Sequence, residues 1–132
     1  MQEQNFSITN TTKSTLPRVP FSKMKDKAMG KKYSLSLVFI GEDRSKFLNK
    51  TYREKDKSTN VLSFSLDKTK NKGSGEIFIT PAVVRKQTKK FKRKFDNLVA
   101  FLFIHGLMHL KGYSHGSTME RAEGKLREKF GI

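Results

Sequence analysis

Apolar and polar positions change their period along this chain, and the changes divide it into elements. Phe6 and Ile8 alternate with polar neighbours, which predicts a short first strand. Pro17 and Pro20 break the chain after it, and Phe21 to Met29 reads as a basic helix ended by Gly30. YSLSLVFI, residues 33–40, is β-branched and aromatic in near alternation and predicts a strand that Gly41 stops. Asp43 can cap a helix running to about Tyr52, with Phe47 and Leu48 on its buried side. After the polar loop KDKSTN, the segment VLSFSL sets Val61, Ser63 and Ser65 against Leu62, Phe64 and Leu66. A loop of Lys, Asn and Gly then leads into EIFIT, residues 76–80, a further short strand. Pro81 suits the first turn of the helix after it.

The period becomes helical, and the composition strongly apolar, between Phe95 and Leu110. LVAFLFI is apolar on every side, so this helix is expected to be central and buried, with Asp96 or Asn97 as its cap and Gly112 past its end. Leu98, Leu102, His105 and His109 fall on one stripe of it. Ser117 to Glu120 has the spacing of a capping box, and Met119, Ala122, Leu126 and Phe130 give the closing helix an apolar face. Strands come first and helices gather toward the end, which predicts an α+β fold.

Composition narrows the function. With 132 residues, the chain reads as one domain able to bury a core without staples. It has no cysteine, which removes disulfides and thiolate ligands and is compatible with a reducing compartment. MQEQNFSITNTTK has no apolar core of signal-peptide length, and the longest apolar run stops at Ile104, far short of a membrane span. A soluble, cytoplasmic protein without a membrane partner is expected. Charge adds a partner: 28 Lys and Arg against 12 Asp and Glu give +16, a field that favours polyanions and, inside a cell, nucleic acid. RKQTKKFKRK, residues 85–94, is the densest basic segment. Helical spacing would put Arg85, Lys89 and Lys92 along one face, with Lys86, Lys90, Arg93 and Lys94 beside it. A charge run is commonly a solvated surface, but the lack of interleaved acids here favours contact with RNA or DNA.

All three histidines lie within HGLMHLKGYSH, residues 105–115. His105 and His109 are four apart, on one face of the buried helix with about 6 Å of axial rise between them. Two imidazoles so placed can grip one zinc ion, and a turn at Gly112 could return His115 as the third ligand. Three nitrogen ligands leave a fourth position open for water, the pattern of a catalytic zinc. Three ordinary histidines, two of them satisfied in a core, is the plainer explanation, and their clustering in a chain with no other histidine speaks against it. Zinc peptidases with the H-E-x-x-H motif carry a glutamate beside the first histidine. Here Gly106 stands in that place, which disfavours peptidase chemistry.

HGLMHLKGYSH resembles the H-G-x-L-H-L-x-G-Y-D-H signature of the YbeY endoribonucleases, also described as rRNA maturation factors. LNKTYREKDKSTNVLSF, residues 48–64, is similar to that family's L-N-x-x-Y-R-x-x-D-x-x-T-D-V-L-S-F block. Gly75-Glu76-Ile77 matches its G-D-I, and Met119 and Glu123 fit its closing helix. The resemblance implies a small mixed β-sheet packed with helices, with one zinc at the end of the central helix on His105, His109 and His115. It implies cleavage of single-stranded RNA in ribosomal RNA processing, notably small-subunit 3′-end maturation on the pre-ribosomal small subunit, and in ribosome quality control. It also makes Arg53 the functional arginine, a guanidinium able to hold a scissile phosphate bidentately. Two aspartates of the family pattern are replaced, by Asn60 and by Ser114, which removes charge near the expected site. Two alternatives stand beside the enzyme: an RNA-binding ribosome-assembly factor with a structural zinc, and a metallohydrolase with a different substrate. The basic charge opposes only the second.

Overall fold

The alternation in the sequence becomes a sheet, and the sheet is built around the strand from Ser34 to Phe39. In a computed structural model, which describes residues 5–67 and 73–132, the elements run β1 (Phe6–Asn10), α1 (Phe21–Met29), β2 (Ser34–Phe39), α2 (Glu42–Arg53), β3 (Val61–Asp67), β4 (Ser74–Ile79), α3 (Pro81–Phe91), α4 (Phe95–Leu110) and α5 (Ser117–Phe130). The first four residues and most of the Lys/Asn loop between β3 and β4 lie outside the described residues. The strand order is β1-β2-β4-β3, with β1, β2 and β4 parallel and β3 antiparallel to β4 at the edge. The fold is α+β with a mixed sheet, as expected.

Helix α4 forms the centre of the molecule. Leu98, Val99, Phe103, Ile104 and Leu107 are fully buried with Leu37, Phe39, Ile77 and Ile79 of the sheet in one cluster. Phe21 and Met24 of α1 join it, Phe21 meeting Phe103 edge to face at 4.9 Å. Met119 and Leu126 of α5 complete the same cluster. On the other face of the sheet, Ile40, Leu62 and Phe78 pack with Leu48 of α2 in a smaller core. No helix among the described residues is long and apolar enough to cross a membrane.

Several local expectations are corrected. No helix uses the predicted cap: α2, α4 and α5 start after Gly41, Lys94 and Gly116, and none has a side-chain cap bond. Asp43, Asp96 and Glu120 sit instead in first turns, where a carboxylate still meets the positive end of the helix dipole. Burial explains why α4 forms without a cap. Each large apolar side chain buried contributes roughly 1.5–3 kcal/mol, against about 1 kcal/mol for a cap. Phe47, expected inside, is 65% exposed. The buried side of α2 carries polar Ser45 and Asn49, which hold the loop before β3, while Leu48 beside them packs on the smaller core. Ser45 Oγ accepts from Thr59 N–H at 2.9 Å and donates to its carbonyl at 3.1 Å, and Asn49 Nδ2 donates to the Lys57 carbonyl at 2.9 Å. The single basic helical face is also broken. α3 ends at Phe91, and Lys92 adopts a left-handed conformation with φ 54°, so Lys92, Arg93 and Lys94 belong to a connection.

Candidate metal centre

His105 and His109 project from the last two turns of α4 with ring centroids 4.6 Å apart and Nε2 atoms 3.1 Å apart. The helix ends where Gly112 takes φ 99°, a conformation that costs a side-chain-bearing residue but not glycine. The reversal brings His115 back, its ring 4.8 Å from that of His109 and 5.4 Å from that of His105. One nitrogen from each of the three lies within 4.8 Å of the others. Two imidazoles bound to one zinc at about 2.0–2.1 Å in a tetrahedron have their nitrogens roughly 3.3–3.4 Å apart. The helix pair is close to that separation, and a set of three neutral nitrogen donors fits a borderline-soft divalent ion such as zinc.

Glu123 orients the first histidine. Its Oε1 lies 2.5 Å from His105 Nδ1, so the Nδ1–H donates to the carboxylate and Nε2 faces the cluster with its lone pair. Its other oxygen meets Arg127 Nη1 at 3.5 Å, one helical turn along α5. The sequence pattern places Glu123 on the closing helix but gives it no role. Its signal is a carboxylate within the apolar stripe of Met119, Ala122 and Leu126, since a buried acid requires a partner. Burial, then the neighbouring His105 and His115, hold His109 below the ordinary histidine range, which favours the neutral, ligating form.

Gly106 is buried against β4. A Cβ there would stand 3.1 Å from Ile77 Cδ1, so the position that holds glutamate in H-E-x-x-H enzymes is here a close helix–sheet contact. The acids that line the cleft come from α5 instead, as Glu120 and Glu123.

Arg53, the last residue of α2, lies across from the histidines. Its Nη2 donates to the Ser63 carbonyl at 3.0 Å and its guanidinium stands 5.0 Å from the centroid of Phe64. One cleft of about 990 Å³ is lined by Arg53, His105, His109 and His115 together, with Asn60, Ser63 and Ser65 along one wall. The positive charge of Arg53 also contributes to lowering His109.

A model of the family described as endoribonuclease YbeY matches residues 1–130 of the chain. This chain belongs to the YbeY family. Its members are endoribonucleases, enzymes that hydrolyse RNA. The endoribonuclease YbeY of Lactobacillus acidophilus is 31% identical over 127 residues, which cover 80% of this chain and 73% of that protein. That of Buchnera aphidicola is 32% identical over 125 residues, covering 90% and 77%. The solution structure of TM1509 from Thermotoga maritima superposes with a TM-score of 0.65 at 25% identity, covering 96% of this chain and 89% of that one.

In this YbeY chain the two substituted positions differ in their surroundings. Asn60 Nδ2 donates to Gln87 Oε1 at 2.8 Å, tying the cleft wall to α3, a bond a carboxylate could not donate. Ser114 is exposed beside His115. The basic run flanks the cleft rather than lining it. Arg85 stacks 4.0 Å from the Phe95 centroid and Arg93 4.4 Å from that of Phe101, while Lys86 pairs with Glu42 at 3.3 Å. Lys92, Arg93 and Lys94 line a smaller hollow of about 370 Å³ with Phe91 and Asn97. Phe91 borders both hollows.

Proposed function

We propose that this chain is, over residues 1–132, a single zinc-dependent domain that cuts single-stranded RNA in ribosomal RNA processing. One zinc ion is held by His105, His109 and His115, and Arg53 holds the reacting phosphate. The observation that carries this reading is the shared cleft, in which an ion-sized nest of imidazoles and a guanidinium face the same space. The names of the relatives support the RNA substrate. The motif resemblance supports the finer assignment to small-subunit 3′-end maturation and ribosome quality control, with the substrate presented by the pre-ribosomal small subunit in the cytoplasm.

Zinc supplies a Lewis acid for a phosphoryl oxygen and lowers the pKa of water when bound. The chain's own residues supply the rest. Glu123 keeps His105 in the ligating tautomer through its hydrogen bond. Arg53 offers a planar pair of N–H donors to the phosphate, one of them now spent on the Ser63 carbonyl and free to exchange partners. Lys55 and Lys57, at the cleft margin, position neighbouring phosphates, and the run from Arg85 through Lys94 (Arg85, Lys86, Lys89, Lys90, Lys92, Arg93, Lys94) extends that contact outward.

The test separates grip from chemistry. Arg53→Ala is expected to keep one zinc per chain and an unchanged fold while losing about 10²–10³ in RNA cleavage, the size of a lost transition-state donor. Arg53→Lys should restore little, because a point charge does not reproduce the two-bond fork. His105→Ala with His109→Ala should abolish tight zinc binding. If wild type and Arg53→Ala share the same chelator-insensitive trace cleavage, the enzyme reading falls and a non-catalytic RNA-binding assembly factor takes its place.

A further inference from the structure

Strand β3 ends the sheet, and its outer side forms a wall of the cleft. The register sets which of its backbone groups face outward. Antiparallel pairing alternates hydrogen-bonded and non-bonded residue pairs. Thr80 N–H donates to the Asn60 carbonyl at 3.0 Å, so Asn60 and Thr80 form a bonded pair. Leu62 opposite Phe78 and Phe64 opposite Glu76 are then bonded pairs as well, whereas Val61 opposite Ile79 and Ser63 opposite Ile77 are not. The next strand agrees. The Ile79 carbonyl accepts from Ile40 N–H at 2.9 Å, on the side away from β3. The N–H and C=O of Val61 and Ser63 therefore point out of the sheet into the cleft. Among the described residues these groups have one hydrogen-bond partner, Arg53, on the Ser63 carbonyl.

An open strand edge is a row of donors and acceptors at a repeat of about 6.8 Å for alternate residues. Proteins normally blunt such an edge, and here it is kept open opposite the histidines. We propose that the main-chain edge at Val61 and Ser63 reads the base edges of the RNA strand in the cleft. The proposal rests on the chain's being an RNA-cutting enzyme and adds the element that selects the substrate. Bases offer donors and acceptors on their pairing edges only when they are unpaired. A duplex has those edges occupied, so a main-chain wall accepts a single strand and refuses a helix. The serine side chains at 63 and 65, the Asn60 amide and the +16 charge of the chain match a polyanionic strand better than an extended peptide, the other ligand that pairs with strand edges.

Amide exchange followed by NMR on the zinc-loaded full chain tests this. In the free protein the amides of Val61 and Ser63 should exchange fast, and those of Leu62 and Phe64 slowly. A short single-stranded RNA of mixed sequence should slow Val61 and Ser63 on the order of tenfold or more, while the same sequence annealed into a duplex should not. Ser63→Pro removes one outward N–H without touching a ladder bond, a change that edge strands tolerate. It should weaken binding of the single strand on the order of tenfold with zinc content retained. Should that variant fail to fold, the exchange comparison on wild type decides alone. RNA that binds without slowing these two amides overturns the assignment of the edge and leaves the RNA reading intact. An RNA that does not bind overturns both. Slowing by an extended peptide and not by RNA turns the edge into a peptide site and overturns the proposal.

Discussion

A carboxylate with 9% of its side chain exposed has to be matched, and Glu123 is matched twice, by His105 and by Arg127. Its negative charge strengthens the Nδ1–H hydrogen bond that fixes which nitrogen of that imidazole faces the cluster. Glu123→Gln keeps the shape and an acceptor for Nδ1–H but loses the charge, so zinc affinity should fall by about tenfold, the low end of the 10–100-fold range for such partners. Competition against a chelator measures it, and an unchanged affinity would reduce the contact to packing. The residues of the site are unequally legible in the sequence. The histidines stand out because they are few and clustered. Arg53 is one cation among 28 Lys and Arg, and only the motif around it singles it out. Glu123 acts through a contact between α4 and α5 that no local pattern contains.

At the scale of elements, the join between α3 and α4 divides a run of cations into two kinds. Arg85 and Arg93 lie over Phe95 and Phe101, and Arg93 also donates to Asn97 Oδ1, so these guanidiniums hold the join together. Lys89, Lys90, Lys92 and Lys94 are exposed. Replacing these four lysines by Gln should flatten the dependence of RNA affinity on salt, since each lost phosphate contact removes counterion release, and should shift Tm by no more than about 2 °C per lysine, as for ordinary surface changes. Arg93→Gln should lower Tm as well, through a lost cation–π contact of about 0.5–2 kcal/mol. Paired salt titrations and thermal melts check both. If Arg93→Gln flattens the salt dependence without touching Tm, the stacking is incidental. Periodicity predicts a continuous basic helix here because it cannot see Lys92 entering a left-handed turn. It also misjudges Phe47, since nothing local shows that α2 turns Ser45 and Asn49 inward to hold a loop.

Over the whole molecule, the α+β class and each element are legible, because apolar period and Pro and Gly positions are local. The strand order β1-β2-β4-β3 is not. It depends on pairing between segments far apart in the chain and on β3 being inserted as an antiparallel edge, which no window of sequence records. The same contrast of near and far separates the two halves of the site. The proposed ligands are neighbours in sequence from His105 to His115, whereas Arg53 and β3 reach the cleft from the other half of the chain. An unfolded chain should therefore keep the three imidazoles close and retain weak affinity for the ion. Stabilisation by a ligand obeys RT ln(1 + [L]/Kd) only when the unfolded state does not bind it. Zinc should then raise Tm by less than its affinity for the native protein requires, with the shortfall growing as zinc is increased. A short RNA, whose contacts exist only in the assembled cleft, should obey the full relation. Thermal melts across a range of each ligand, set against independently measured Kd values, distinguish the two. A zinc series that obeys the full relation would mean that the eleven-residue segment does not gather the ion until the fold is complete.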